Sequence, residues 1–232
     1  MHRTLRIALA ALILAAGPTN AAFRDIAVSG FRGVDVTIPM DLEILQGPVD
    51  SLRLDGDEAA IAQVEIVVED GIVRILARDR SVSWKGRLRG VLRAKRIDTV
   101  VLAGSGSIQV AQLAGDDVKA TLSGNGKLNL ERIEARSAGL FLSGTGTIRA
   151  AAGRVQGLEV GIAGTGDVEA PRLQSVEARV AISGSGAATV AARESLQVRI
   201  SGTGKVGYYG DPRLQERGVG VGKVSRLGAH PG

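Results

Sequence analysis

Six copies of one phrase are the residues that most invite a chemical reading: Gly104-Ser-Gly106, Gly124-Asn-Gly126, Gly144-Thr-Gly146, Gly164-Thr-Gly166, Gly184-Ser-Gly186 and Gly202-Thr-Gly204. A glycine-rich turn can cradle phosphate on its backbone N–H groups where a helix begins. No helical pattern follows any copy, and none reads Gly-Lys-Ser/Thr, so nucleotide and phosphate-loop readings fail. The calcium-binding nonapeptide needs an aspartate recurring beyond its glycines, and only Gly164-Thr-Gly166-Asp167 offers one. The two histidines are His2 and His230, one at each end, and there is no cysteine. A histidine-based triad and His- or Cys-ligated zinc are therefore excluded. Asp55-Gly-Asp57-Glu58 and Asp116-Asp117 read as acidic turns. No catalytic, cofactor-binding or metal-ligating set emerges, and no cofactor is expected.

Two other groups could bind a ligand. Between Arg74 and Arg96 lie nine basic residues against one acid, Asp79, with Trp84 beside them. In Arg87-Leu-Arg89-Gly-Val-Leu-Arg93 the arginines alternate with small or apolar residues, which directs Arg87, Arg89 and Arg93 to one exposed strand face. Such a face protects a sheet edge, or it holds an anionic envelope polysaccharide or surface glycan through bidentate Arg contacts. Nucleic acid fits poorly, because interleaved aromatics for base stacking are missing. The second group is a pair of short polar rows spaced like the glycine phrases. One runs Ala103, Ser123, Ser143, Ala163, Ser183, Ser201, and the other Ser105, Asn125, Thr145, Thr165, Ser185, Thr203. Hydroxyls in register hydrogen-bond along an exposed sheet, or present a regular polar platform to sugar.

The elements that position these residues follow from the repeat. First glycines recur at steps of 20, 20, 20, 20 and 18 residues, the mark of a solenoid. In Leu122-Ser-Gly124-Asn-Gly126-Lys-Leu128-Asn-Leu130 the even positions are apolar or glycine and the odd ones polar, the period of a half-buried β-strand. The parity holds through Leu102, Ile108 and Val110, through Leu142 and Ile148, through Ile162 and Val168, and through Ile182 and Val190. The even step of 18 preserves it at Ile200 and Val206. Leu113, Ile133 and Leu173 suggest a turn that re-aims one apolar residue inward. A coil of two or three short strands, stacked on the next at about 4.8 Å with parallel pairing, is a β-helix. The glycines are expected to sit at its corner, facing inward, where the backbone bends or packs closely.

Residues 23–98 do not follow this period and are read as an N-terminal β-layer covering the first coil, with a hairpin of Ile61–Val68 and Ile72–Ala77 about Glu69-Asp70-Gly71. Residues 99–227 are the solenoid, in which Pro212 and the charged stretch Arg213–Arg217 interrupt the strand pattern before Gly220-Val-Gly222 finishes the last coil. Residues 228–232 are expected to be disordered. Residues 1–22 read as a secretory signal: Arg3 and Arg6, then an apolar run from Ile7 to Gly17, then small residues up to Ala22. That run is too short to span a bilayer. Without Arg3 and Arg6 the chain carries 27 basic and 24 acidic residues, a net +3 that by itself implies no nucleic-acid partner.

The succession of Ile97-Asp-Thr-Val-Val-Leu-Ala-Gly-Ser-Gly, repeated Leu-Ser-Gly-x-Gly-x-Leu/Ile phrases and Tyr208-Tyr-Gly-Asp-Pro212 resembles the bacterial family of the putative auto-transporter adhesin head, or GIN domain. The resemblance covers roughly residues 30–227. It implies an all-β, right-handed β-helix of about six coils in an exported bacterial protein, with no catalytic residues to carry over. The expected function is a non-enzymatic envelope or surface module, periplasmic or at the cell surface, for adhesion or glycan binding. The alternatives are a carbohydrate-active lyase or hydrolase on the same scaffold, which needs a groove holding two or three carboxylates, or an envelope-stress accessory protein.

Overall fold

The computed structural model describes residues 21–79, 84 and 88–231. Residues 1–20 of the signal-like segment 1–22, and Arg87, therefore lie outside the described residues. Strands β1 (Ala21–Ile26), β2 (Gly33–Val36), β3 (Met40–Gln46) and β4 (Ser51–Asp57) precede a short helix, α1 (Glu58–Ala62). Next come β5 (Val64–Glu69), β6 (Ile72–Ala77), β7 (Leu88–Ala94), β8 (Thr99–Gly104), β9 (Gly106–Val110) and β10 (Leu113–Gly124). Then follow β11 (Lys127–Leu130), β12 (Ile133–Gly144), β13 (Thr147–Ala150), β14 (Gly153–Gly164) and β15 (Asp167–Gly184). The chain continues as β16 (Ala187–Gly202), β17 (Lys205–Tyr209), β18 (Arg213–Gly220) and β19 (Lys223–Gly228).

These strands stack as a β-solenoid of about six turns. On one side β8, β10, β12, β14, β15, β16 and β18 pair in parallel, each Gly-x-Gly opposite the next: Gly124 faces Gly104 and Gly144, and Gly184 faces Gly164 and Gly202. On another side β9, β11, β13, β15, β16, β17 and β19 do the same. The period-two pattern explains the core. Val100, Ala120, Leu140, Val160, Val180 and Val198 form one internal column, and Leu102, Leu122, Leu142, Ile162, Ile182 and Ile200 the next, all buried. Leu113, Ile133 and Leu173 close the third side and are fully buried.

Beyond the first corner, where Gly104 and Gly106 both have positive φ, the two glycines of a corner are needed for different reasons. Gly144 has φ +126°, which an L side chain rarely adopts, and a Cβ there would lie 2.5 Å from the Gly124 carbonyl oxygen. Gly146 is without such a φ, yet its Cβ would meet the Gly126 carbonyl oxygen at 2.5 Å and Leu122 Cδ2 at 2.6 Å. The close approach is therefore to the preceding coil and to the core beneath. Of the two, Gly146 is buried and Gly144 only half-buried, so the expectation that both glycines face inward holds for the second alone. The corner also keeps the ladder intact, because the Gly124 carbonyl accepts from the N–H groups of Thr145 and Gly146, both at 3.1 Å.

The 18-residue step is absorbed away from the corner. Glu169 pairs with Thr189 but Gln174 pairs with Ala191, and a second shift falls between Ser175 and Glu177. The tightened turn is lined by Ala191 and Ala192, both fully buried. Ser175, the only buried polar residue among the described ones, donates from Oγ to the Ala191 carbonyl at 2.7 Å across this seam. Ser175→Ala is expected to cost about 1 kcal/mol in urea unfolding, the usual net worth of such a bond.

The N-terminal segment differs from its expectation in an informative way. β2 lies between β6 and β8, and β3 between β7 and β9, all parallel. These strands are layers of the stack itself, laid down out of spatial order. Met40 sits opposite Gly106, so Ile38-Pro39-Met40 occupies the corner without glycine and hides the repeat from a sequence reading. The outer cover is β4, antiparallel on β7, with β1 antiparallel on β4, together with β5 antiparallel on β6. The hairpin turns at Asp70 (φ 52°) and Gly71 (φ 74°) as expected, but it starts at Val64, because Glu58–Ala62 is helical and buries Ala60 and Ile61. Two corrections fall at the other end. Arg213–Arg217 does not interrupt the strand pattern but forms β18, paired with β16 from Ser195 onward. Residues 228–231, expected to be disordered, have defined places: the Gly210 N–H donates to the Gly228 carbonyl at 3.0 Å, and His230 approaches Gly210.

Candidate functional site

On the face formed by β10, β12, β14, β15 and β16 the outward residues align across coils. One row runs Arg74, Asp35, Val101, Thr121, Phe141, Gly161, Ala181, Arg199, Arg217. Phe141 is the one aromatic in it. Its ring covers the space that two glycines leave open: a Cβ on Gly139 would lie 2.5 Å from Cε2, and one on Gly161 would lie 2.9 Å from Cδ1. Lys119 Nζ stands 5.3 Å from the ring centroid. Beyond the ring, Gly161 and Ala181 leave a trough with a nearly apolar floor, edged by Ser143, Ala163, Ser183 and Ser201 and closed by Arg199. With strands about 4.8 Å apart, Phe141 and Arg199 stand about 14 Å from each other. A second hollow joins the first at Ala181 and Arg199, and holds Arg179, Arg217, Gln197 and Glu159.

The residues singled out in the sequence divide around this site. Ser143 and Ser183 edge the trough, while Thr145, Thr165 and Ser185 stand exposed on the corner row beside it. Two links of that row are hydrogen-bonded, Thr145 Oγ1 to Asn125 Oδ1 and Thr203 Oγ1 to Ser185 Oγ, both at 2.9 Å. The described residues of the basic run do not form one patch. Arg74 lies on β6, half-buried and 3.8 Å from Glu69, whereas Arg89 and Arg93 are exposed on β7, on another side of the solenoid. Arg89 stands in register with Asp41 and Asp55, and shares a shallow hollow with Asp41 and Glu43. Trp84 is half-buried against the core, in a cavity with Asp35, Thr37, Ile38 and Arg74.

Asp35 in that cavity has a covered Oδ1 with no hydrogen-bond partner among the described residues. Burial pushes its carboxyl above the ordinary range, with Arg74 opposing. A raised folded-state value means that the charged form is penalised on folding at pH 7, and that stability recovers as pH falls through it. Asp35→Asn is therefore expected to raise the melting temperature at pH 7, with the gain gone below the ordinary carboxyl range. A melting series from pH 3 to pH 7 reads this directly.

Phe141 was not among the sequence candidates. It carried a signal, however: an aromatic at an odd, outward position, with glycine two residues before it and another exactly one coil later at Gly161.

Glycine-cornered coils, one uninterrupted parallel stack and an open lateral face define a β-solenoid whose site is a surface trough. The chain belongs to the family described as "Putative auto-transporter adhesin, head GIN domain", whose model matches residues 30–212. Solved structures share the fold. A putative adhesin from Bacteroides fragilis superposes with TM-score 0.80 at 20% identity, covering 90% of this chain and 98% of its own. A putative adhesin from Parabacteroides merdae gives 0.69 at 19% identity, covering 91% and 98%. A protein from Parabacteroides distasonis described as a putative lipid binding protein gives 0.69 at 20% identity, also covering 91% and 98%. No curated protein matches the chain.

Proposed function

We propose that the protein is an exported, non-enzymatic envelope module that binds glycan on the Phe141 face. The observation that carries this reading is the aromatic ring placed on glycine beside an open, flat trough. A sugar presents a C–H face that stacks on such a ring, and its hydroxyls can reach the serine edge. The trough is too open to enclose an acyl chain, which favours a sugar over a lipid as its ligand. The adhesin description of the family agrees with a surface-binding role. The signal-like residues 1–22 support export.

The hydrolase or lyase alternative receives less support. One hollow holds two carboxylates, Asp41 and Glu43, and both are exposed, with Asp41 accepting from Ser107 Oγ at 2.6 Å. Acid–base work on a sugar needs one carboxyl shielded from water so that it stays protonated. The test is a screen of oligosaccharides and phospholipid vesicles against the wild type and Ala181→Gln, which fills the trough with an exposed, unstrained side chain. Oligosaccharide binding that Ala181→Gln weakens about tenfold is the expected result. Vesicle binding without oligosaccharide binding, or glycan binding indifferent to Ala181→Gln, overturns the proposal.

A further inference from the structure

The hollow adjoining the trough points to the kind of sugar. Arg199 and Arg217 stand directly opposite each other on neighbouring strands, so two like charges are held about 4.8 Å apart along the backbone. Like charges facing each other across a strand pair destabilise the pair. Neither has an ion-pair partner among the described residues. Arg179 contributes a third guanidinium, 3.7 Å from Glu177, and Glu159 is the one carboxylate lining the hollow. Gln197 and Gln215, which also line it, supply neutral donors. The positive hollow lies at the end of the trough away from Phe141, beyond Gly161 and Ala181. A ligand stacked on the ring and lying along this row would bring a substituent about 14 Å further on against the two arginines.

We infer that the glycan is acidic: a uronate-type sugar whose carboxylate is received by Arg199 and Arg217 while a ring further along the same oligosaccharide stacks on Phe141. This rests on the trough being the glycan site. A carboxylate relieves the repulsion between the two guanidinium groups and matches their planar donor forks. A neutral sugar would leave that repulsion in place. A fatty acid carries the same anionic group, but its chain would lie unshielded on an open floor.

The experiment compares paired probes: oligogalacturonate, oligoglucuronate and alginate oligomers, each beside its methyl ester. Calorimetric titration of the wild type is expected to show about tenfold tighter binding of the acid than of its ester, with the preference fading as salt rises. Arg199→Gln with Arg217→Gln should bring the acid down to the level of the ester, abolishing the preference. Ala181→Gln should weaken both probes together. Equal affinity for acid and ester, or a preference that survives the double arginine variant, overturns the acidic-sugar inference while the trough reading stands. If no probe binds, or vesicles containing fatty acid bind and saccharides do not, both fall.

Discussion

Gly144→Val is expected to lower the melting temperature by about 10 °C or more. The native φ of +126° is a strained conformation for any β-branched residue, at about 1–3 kcal/mol. The clash adds to this, since the Cβ would meet the Gly124 carbonyl oxygen, a backbone atom fixed by its own hydrogen bonds to Thr145 and Gly146. Relief would require separating two coils at the corner. The matched control is Gly157→Ala on the same face. Its Cβ would find its nearest neighbour, Ser137 Cβ, at 4.0 Å, and its φ is not positive. That variant is expected to be neutral or slightly stabilising, because alanine restricts the unfolded chain. Parallel thermal melts of the two variants separate a corner that requires glycine from a sheet face that merely contains it. Similar losses in both would contradict the corner account.

Excising residues 127–146, so that Gly126 runs into Thr147, is expected to leave a folded, soluble β-protein. The cut removes one full period, and β10 then meets β14 with the same alternation, corner against corner. Stacked repeats gain stability from their neighbours, so the loss should be one layer's share and unfolding should remain cooperative. Excising residues 127–136 alone is expected to abolish folding. It would set the corner at Gly144 against the middle of a strand and place turn residues where the ladder needs strand. Circular dichroism with denaturant unfolding distinguishes the two deletions. A collapsed product from the full-period deletion would contradict the layered account.

Much of this fold was legible in the sequence, because a strand's period of two and a coil's period of 20 leave marks in every repeat. The columns through Leu122 and Leu142 and the corners at Gly124 and Gly144 follow from parity and spacing alone. Two features were hidden for physical reasons. The coil formed by β2 and β3 turns its corner with Ile38-Pro39-Met40, and it lies between strands that come later in the chain, so no fixed step connects it to the repeats. The basic run from Arg74 to Arg96 was visible as charge, but only pairing shows that Arg74 and Arg89 lie on different sides of the solenoid and that Asp41 and Asp55 face Arg89. The trough lies between these cases. Ser143 and Ser183 were marked by their place in a polar row. Phe141, Ala181, Arg199 and Arg217 become a site only when register sets them side by side.

The central claim is that Phe141 is the floor on which a sugar stacks, and affinity measured on Phe141→Ala tests it most directly. The ring is outward and half-buried, so its removal should leave the melting temperature close to that of the wild type. Truncating a central aromatic anchor is expected to weaken binding of the tightest oligosaccharide by at least about tenfold. An unchanged dissociation constant in a folded Phe141→Ala protein would contradict the account.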